Sequence, residues 1–511
     1  MTAQEPFMQN TIINLLHNGA ADAPAIVAPD TEPLNYATFK LHVTKVVAAL
    51  KSFGVGRGDR VAIVLPNGPH MASAFVSIAA GATAAPLNPS YRANEFSFFL
   101  DDLNARALVV MAELDTPARA VAADHSIPVI ELAPDNKVAG LFELCPQSAA
   151  SLGSNSPVGA NDTALVLHTS GTTSRPKIVP LSHGNLAASA HHIGETLALS
   201  ANDCCLNIMP LFHIHGLIAA VLASLAAGGS VVCTPGFNAL KFFAWMADFK
   251  PTWYTAVPTM HQTILTRASR NRETIESNPL RFIRSSSSSL PPQVMKELED
   301  TFSAPVIESY GMTEAAHQMA SNPLPPSSRK PGTVGPAAGP EVAIMDEIGT
   351  VLSAGKVGEI VIRGSNVTQG YEGNPAANAA AFTKGWFRTG DQGVIDEDGY
   401  LTITGRLKEI INRGGEKISP REVDEVLMDH PAVAQVVTFA VPHEKLGEDV
   451  AVAVVLAEGA DADSHVLRAF VRQRLADFKV PRQVVFLDEI PKGQTGKLQR
   501  IGLAEKIGLI K

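Results

Sequence analysis

Through the first two-thirds of the chain, short unbroken apolar runs alternate with longer stretches in which apolar residues return every three or four positions. Arg60–Leu65 (RVAIVL) has the texture of a strand buried on both faces, and His70–Ala80 after it that of a helix. Ala107–Met111, Thr163–His168 and Ser230–Cys233 repeat the strand type. The most apolar region, Leu217–Cys233, is interrupted by Ser224 and Gly228-Gly229 and reads as a buried helix running into a strand. This alternation predicts an α/β architecture with mostly parallel sheets. From Gly339-Pro340 the texture becomes β-rich: Glu341–Met345, Gly358–Arg363 and Val394–Thr404, the last holding the turn Asp398-Gly399, predict an antiparallel, barrel-like subdomain. After Arg406 about 100 residues remain, enough for a unit of their own. Strands at Val433–Val441 and Val450–Leu456, a helix from Pro420 and another over Ser464–Leu475 make it a small α+β unit. The expected division is 1–407 and 408–511, with a tight hinge near Gly405–Lys408, since no long linker or internal repeat intervenes.

Composition narrows the function. At 511 residues, 46% hydrophobic and 18% charged, the chain is neither disordered nor a coiled coil. The balance of 41 Lys+Arg against 50 Asp+Glu gives −9, which argues against a nucleic-acid partner. Four cysteines (Cys145, Cys204, Cys205, Cys233) cannot build a disulfide framework in so long a chain, so a reducing compartment is expected. The first ten residues lack a basic segment followed by an apolar run, and no stretch approaches the roughly 18 apolar residues of a membrane span. The last residues, Gly508-Leu509-Ile510-Lys511, are not a peroxisomal Ser-Lys-Leu. A cytoplasmic protein with no membrane partner is the expectation.

Four segments carry candidate chemistry. His168-Thr169-Ser170-Gly171-Thr172-Thr173-Ser174-Arg175-Pro176-Lys177 follows a strand with small hydroxylated residues, glycine and a final lysine, a set able to offer N–H groups, hydroxyls and one mobile ammonium to phosphates. It is no Walker A loop, and read alone it is equally a Ser/Thr turn. Glu308-Ser309-Tyr310-Gly311-Met312-Thr313-Glu314 places a ring able to stack on a purine near a carboxylate able to hold Mg²⁺; read alone, a surface Thr-Glu helix cap is the more frequent explanation. Gly385-Trp386-Phe387-Arg388-Thr389-Gly390-Asp391, followed by Gly405-Arg406-Leu407-Lys408, sets an acid between glycines where it could accept both hydroxyls of a ribose, although a plain hairpin acid fits too. Pro491-Lys492-Gly493-Gln494-Thr495-Gly496-Lys497 could project Lys497 away from its own unit, or be a solvated basic loop.

Together, in this order, the four segments resemble the adenylate-forming superfamily of acyl- and aryl-CoA synthetases, peptide-synthetase adenylation domains and beetle luciferases, from about Tyr36 to Arg500. The resemblance implies an enzyme that joins a carboxylic acid to CoA in two steps, with ATP, Mg²⁺ and CoA. By similarity, Thr169, Ser170, Gly171, Thr172, Thr173, Ser174 and Lys177 would cradle the β- and γ-phosphates. Glu314 would hold Mg²⁺, with Thr313 near the α-phosphate. Asp391 would bind the ribose, assisted by Arg406. Glu308, Ser309, Tyr310 and Gly311, with Ser285–Ser289, would form the adenine pocket. Lys497 would bridge the acid and the α-phosphate. Relatives rotate the small unit about the position of Lys408, and Gly414, Gly415 and Glu416 would then line the pantetheine tunnel. Many relatives have glycine where this chain has Ile178.

For the acid, His213 and His215 are spaced i, i+2 and would face the same way in an extended segment; His213 is the better match to the family's residue beside the acyl pocket. His317 stands three residues after Glu314, a spacing that shares one face of a helix. With Ser285, Ser287 and Ser289 these make a small, polar pocket suited to a second carboxylate close to the first. The wording of 167–177, 253–259 and 281–285 looks most like the oxalate–CoA ligases of plants and fungi, which implies oxalate contacts at His213, Ser287 and His317. The Ser285–Ser289 run departs from the mixed Cys/Ala wording of that group. An aryl- or medium-chain ligase with a deep apolar pocket is the competing expectation; a luciferase-like oxidoreductase is more remote. Cys204 and Cys205 fit no zinc spacing.

Overall fold

The computed structural model describes residues 10–146, 156–169, 176–491 and 498–510, whose strands form four sheets. Two are large and parallel in their interiors. One has the spatial order Phe142–Pro146, Val129–Pro134, Ala107–Met111, Arg60–Val64, Thr83–Pro86, Thr163–Thr169, Lys177–Ser182. The other runs His317–Ser321, Val306–Met312, Phe282–Ser285, Trp253–Ala256, Cys204–Asn207, Ser230–Cys233, Pro24–Val27, Leu34–Asn35. The end strands of both are antiparallel to their neighbours.

Alternation along each strand explains why the runs are apolar throughout. Val61 and Ile63 join one core while Ala62 and Val64 join another. In the second sheet Trp253 and Phe282 belong to that same first core, but Tyr254 and Ile283 pack on the opposite face against Phe242, Met260 and Leu298. The shared core therefore lies between the sheets, filled by helices Tyr36–Ser52, Pro69–Ala79 and His183–Thr196, and helices also cover both outer faces. Ile178 serves the outer core of the first sheet, which accounts for an isoleucine after the loop lysine.

The antiparallel subdomain is centred on Trp386–Ile395, which pairs with Gly358–Arg363, Phe382–Thr383 and Leu401–Arg406. The predicted segment Val394–Thr404 is thus two strands joined at Asp398-Gly399. Beyond residue 410, strands Ile411–Arg413, Glu416–Ile418, Val433–His443, Gly447–Leu456 and Gln483–Phe486 form a separate sheet with separate cores. Arg421, on helix Pro420–Met428, donates to the carbonyl of Ile403 (2.7 Å), and Gln293 to the carboxylate of Asp429, so this unit rests on the larger body. Leu217–Cys233 is the buried helix-to-strand segment expected, except that its first turns, His215–Leu222, are π-helical. Among the described residues no helix is long and apolar enough to cross a membrane, and the four cysteines are free thiols.

One close approach fixes the edge of the second sheet. A Cβ on Gly311 would stand 1.9 Å from the carbonyl oxygen of His317 on the antiparallel neighbour. Gly311→Ala must push that strand outward, and is expected to cost about 2 kcal/mol or more. A thermal melt unchanged from the parent would contradict this packing.

Candidate active site

In a parallel sheet the loops that carry chemistry leave the carboxyl ends of the strands. Here Ala256, Ser285 and Glu308 lie in register near those ends. Ser286 Oγ donates to the carbonyl of Ser309 (3.0 Å), so the serine-rich loop and Glu308-Ser309 come together as the motifs imply. Glu308 is buried; one carboxylate oxygen accepts the Leu290 N–H (3.0 Å), and the other has no hydrogen-bond partner among the described residues. Burial pushes its carboxyl up to about 7, opposed by the Leu290 N–H and by Arg421 of the small unit.

One strand turn further, the Tyr310 hydroxyl donates to Asp391 Oδ2, and Arg406 Nε donates to Oδ1 (3.0 Å). Asp391 and Arg406 face one another in register on neighbouring strands, which brings the third motif onto the second. Thr313–Ala315 forms a single 3₁₀ turn that buries Glu314. Burial raises the Glu314 carboxyl, against the Tyr371 hydroxyl, which donates to Oε1 at 2.9 Å, and the charges of Arg406 and Lys177. The Lys177 ammonium sits 4.2 Å from the centre of the Tyr371 ring. Tyr371 therefore joins Lys177 to Glu314. Sequence reasoning missed it; the only signal is Gly370 before it, at φ 142°. The segment is pinned on both sides, by Thr368 N–H to the Glu314 carbonyl (2.7 Å) and Thr368 Oγ1 to that of Pro180 (2.8 Å). Thr169 and Lys177 are register partners in adjacent antiparallel strands, so both ends of the first motif are fixed. Ser170, Gly171, Thr172, Thr173 and Ser174 lie outside the described residues, as does Lys497.

The histidines depart from expectation. His213 and His215 are not in an extended segment: His213 occupies a bend with its ring tilted against that of Phe212 (centroids 4.6 Å apart), while His215 opens the π-helical turns, so the i, i+2 rule does not apply. Nor do Glu314 and His317 share a helix. The 3₁₀ turn ends at Ala315, Ala316 is left-handed (φ 47°), and His317 begins the edge strand. The structure instead brings His317 against His215, edge to face at 5.0 Å. His215 Nδ1 lies 3.0 Å from Ser287 Oγ, and Nε2 lies 2.6 Å from Thr255 Oγ1. Of the predicted trio, Ser287 and His317 converge, and their shared neighbour is His215.

In the small unit, Gly414 and Gly415 (φ 60° and 96°) form the two-residue turn between register partners Arg413 and Glu416, a tight hairpin rather than an ordinary loop. Lys408 is exposed in the turn that follows Arg406. Its neighbour Glu409 pairs with Arg500 (3.2 Å), which also pairs with Asp424 (2.7 Å), so the chain emerging from the lysine segment is anchored beside the turn.

Residues 17–372 match the family model for an AMP-binding enzyme, and residues 422–497 match that for an AMP-binding enzyme C-terminal domain. The chain belongs to the AMP-binding enzyme family. It is 44% identical to an oxalate–CoA ligase of Arabidopsis thaliana, over 96% of this chain and 97% of the relative. It is 42% identical to an oxalate–CoA ligase of Saccharomyces cerevisiae, over 88% and 87%. Among solved structures, ATP-bound MatB from Rhodopseudomonas palustris superposes with a TM-score of 0.87 at 30% identity, covering 97% of this chain and 98% of that one. The family's Mg²⁺ can be tested against the donor set. No three His, Cys, Asp or Glu side chains cluster as a metal site among the described residues, and Glu314 is a lone buried carboxylate between two cations. That suits Mg²⁺, which keeps water and takes substrate phosphate oxygens alongside one or two carboxylates.

Two outcomes follow from this geometry. Tyr371→Phe removes one hydrogen bond to the Glu314 carboxylate; acid-dependent pyrophosphate release from ATP should slow about tenfold, with the KM of the acid little changed. Glu308 takes up a proton in the folded state that the unfolded chain releases below pH 7, so it costs stability progressively as pH rises from about 4.5 to 7. Glu308→Gln should then be more stable than the parent at pH 8, by up to about 3 kcal/mol, and the margin should shrink as pH falls and vanish below about pH 4.5. A margin that does not change with pH would count against the buried carboxyl.

Proposed function

We propose that the protein is an AMP-forming acid–CoA ligase whose acid is oxalate. The observation that carries the choice of acid is the convergence of His215, Ser287 and His317 into one polar cluster beside the turn that holds Glu314. An aromatic or fatty acid would need apolar walls there; two imidazoles and a hydroxyl suit a compact anion. The named oxalate–CoA ligases that the chain resembles support the same reading.

A carboxylate is a poor acylating agent because its charge repels nucleophiles and oxide cannot leave. In the first half-reaction one oxalate oxygen attacks the α-phosphorus of ATP and pyrophosphate departs. In the second, the CoA thiolate attacks the acyl carbon and AMP departs. Negative charge gathers on phosphorus oxygens in the first step, so cations and N–H groups are the required stabilisers. Thr169 to Lys177 would hold the β- and γ-phosphates, and Thr313 the α-phosphate. Asp391, already engaged with Tyr310 and Arg406, would take the ribose hydroxyls, with Glu308, Ser309, Tyr310 and Gly311 around the adenine. Glu314 would hold Mg²⁺, which when bound withdraws charge from the phosphates. His213, Ser287 and His317 would meet the acid, with His215 orienting Ser287. Lys497, a point charge on a long stem, would lie between carboxylate and α-phosphate. The division falls at 407/408, and rotation about Lys408 would bring the Gly414-Gly415-Glu416 hairpin to the pantetheine arm.

Pyrophosphate release from ATP, measured with oxalate, malonate, coumarate and octanoate, should be strongest with oxalate; preference for coumarate or octanoate would overturn the reading. Lys497→Ala should slow that release by about 10²–10³-fold yet still make thioester from supplied oxalyl-adenylate. Equal loss in both halves would remove the assigned role.

A further inference from the structure

Arg284 lies in the strand Phe282–Ser285, fully buried within the second sheet. Its Nη2 donates to Gln318 Oε1 at 3.2 Å, while Nε and Nη1 have no hydrogen-bond partner among the described residues. Burial lowers its guanidinium to about 9, and the one charge-type influence against that is the buried Cys205 thiol, so at neutral pH it remains a cation with no carboxylate paired to it among the described residues. A charge in such a position is a folding liability; an apolar side chain of similar volume would fold as well or better.

Its neighbours show what anion could offset that cost. Arg284 is the register partner of Thr255 on the adjacent parallel strand, so the two side chains leave the same face about 5 Å apart. Thr255 Oγ1 is the group 2.6 Å from His215 Nε2. Gln318, which takes the one hydrogen bond Arg284 makes, directly follows His317. The guanidinium is thus one residue removed from His215 through Thr255 on the same face, and one residue removed from His317 along the chain through Gln318. In adenylation the attacking carboxylate of a diacid loses its charge as it becomes an anhydride, but the other keeps its charge through both half-reactions. That persistent anion is what a fixed positive potential in a low-dielectric wall would hold.

We propose that Arg284 is a positioning residue that makes the pocket select a dianionic acid, acting through Thr255–His215 and Gln318–His317. The inference rests on the acid site proposed above. The test compares the parent, Arg284→Met and Arg284→Lys, using oxalate and oxamate, which has the same shape with one carboxylate replaced by an amide. Each acid is measured by KM, or by Ki against oxalate where it is not turned over, at saturating ATP. Arg284→Met should melt no lower than the parent and lose affinity for oxalate by roughly tenfold or more, while affinities for oxamate and ATP hold. Arg284→Lys should recover part of the loss. Equal loss for both acids, no loss for oxalate, or an Arg284→Met chain that fails to fold would overturn the role, the last because it would make Arg284 a structural prop. A parent protein that activates no dicarboxylate would instead sink the function reading, before any variant is compared.

Discussion

The carboxylate of Asp391 is where the parts of this molecule are tied together. It accepts from Tyr310, at the end of the second parallel sheet, and from Arg406, the last residue of the antiparallel subdomain before the turn into the small unit. Donors to both oxygens offset the cost of burying this carboxylate, and here they come from different elements. The consequence is geometric. The Tyr310 ring, Asp391 and the strand end at Arg406, just before the small unit, cannot be placed independently.

A second junction works on the same principle with opposite charge. Lys177 rests on the face of Tyr371 and the hydroxyl of that ring meets Glu314, so an ammonium and a carboxylate are held at the two ends of one rigid side chain. Without the spacer the pair could collapse into a simple salt bridge, leaving neither group available to phosphate or metal. An aromatic ring with a polar tip separates them while satisfying both, a service that an aliphatic residue could not perform.

Much of the architecture was legible because buried parallel strands write themselves as continuous apolar runs: Ala107–Met111 and Ser230–Cys233 stand where the pattern put them, as do the antiparallel strands Glu341–Met345 and Gly358–Arg363. The chemistry-bearing segments were legible as words, since glycine, hydroxyl and charge seldom cluster without a reason. What failed was local geometry. The i, i+2 rule for His213 and His215 presumed an extended chain, and the i, i+3 rule for Glu314 and His317 presumed a helix. A π-helical start and a left-handed Ala316 defeat both. Tyr371 was invisible because its partners are distant in sequence and its own surroundings carry no pattern beyond the glycine before it.

Arg284 marks the limit of reading by composition. In the sequence it is a charge inside Phe-Ile-Arg-Ser, easily passed over as the exposed edge of a strand; in the fold it is among the largest fully buried side chains. Buried polar groups elsewhere in the site, such as Glu314 and Asp391, have hydrogen-bond donors that account for them. Arg284 has a neutral amide oxygen and, among the described residues, two guanidinium nitrogens without a hydrogen-bond partner. Folding alone gives no reason to keep an unbalanced cation there, because removing it would relieve a desolvation cost rather than create one. The proposed reason is a state of the protein that carries an extra negative charge, for which the imidazole cluster reached through Thr255 and Gln318 offers a place.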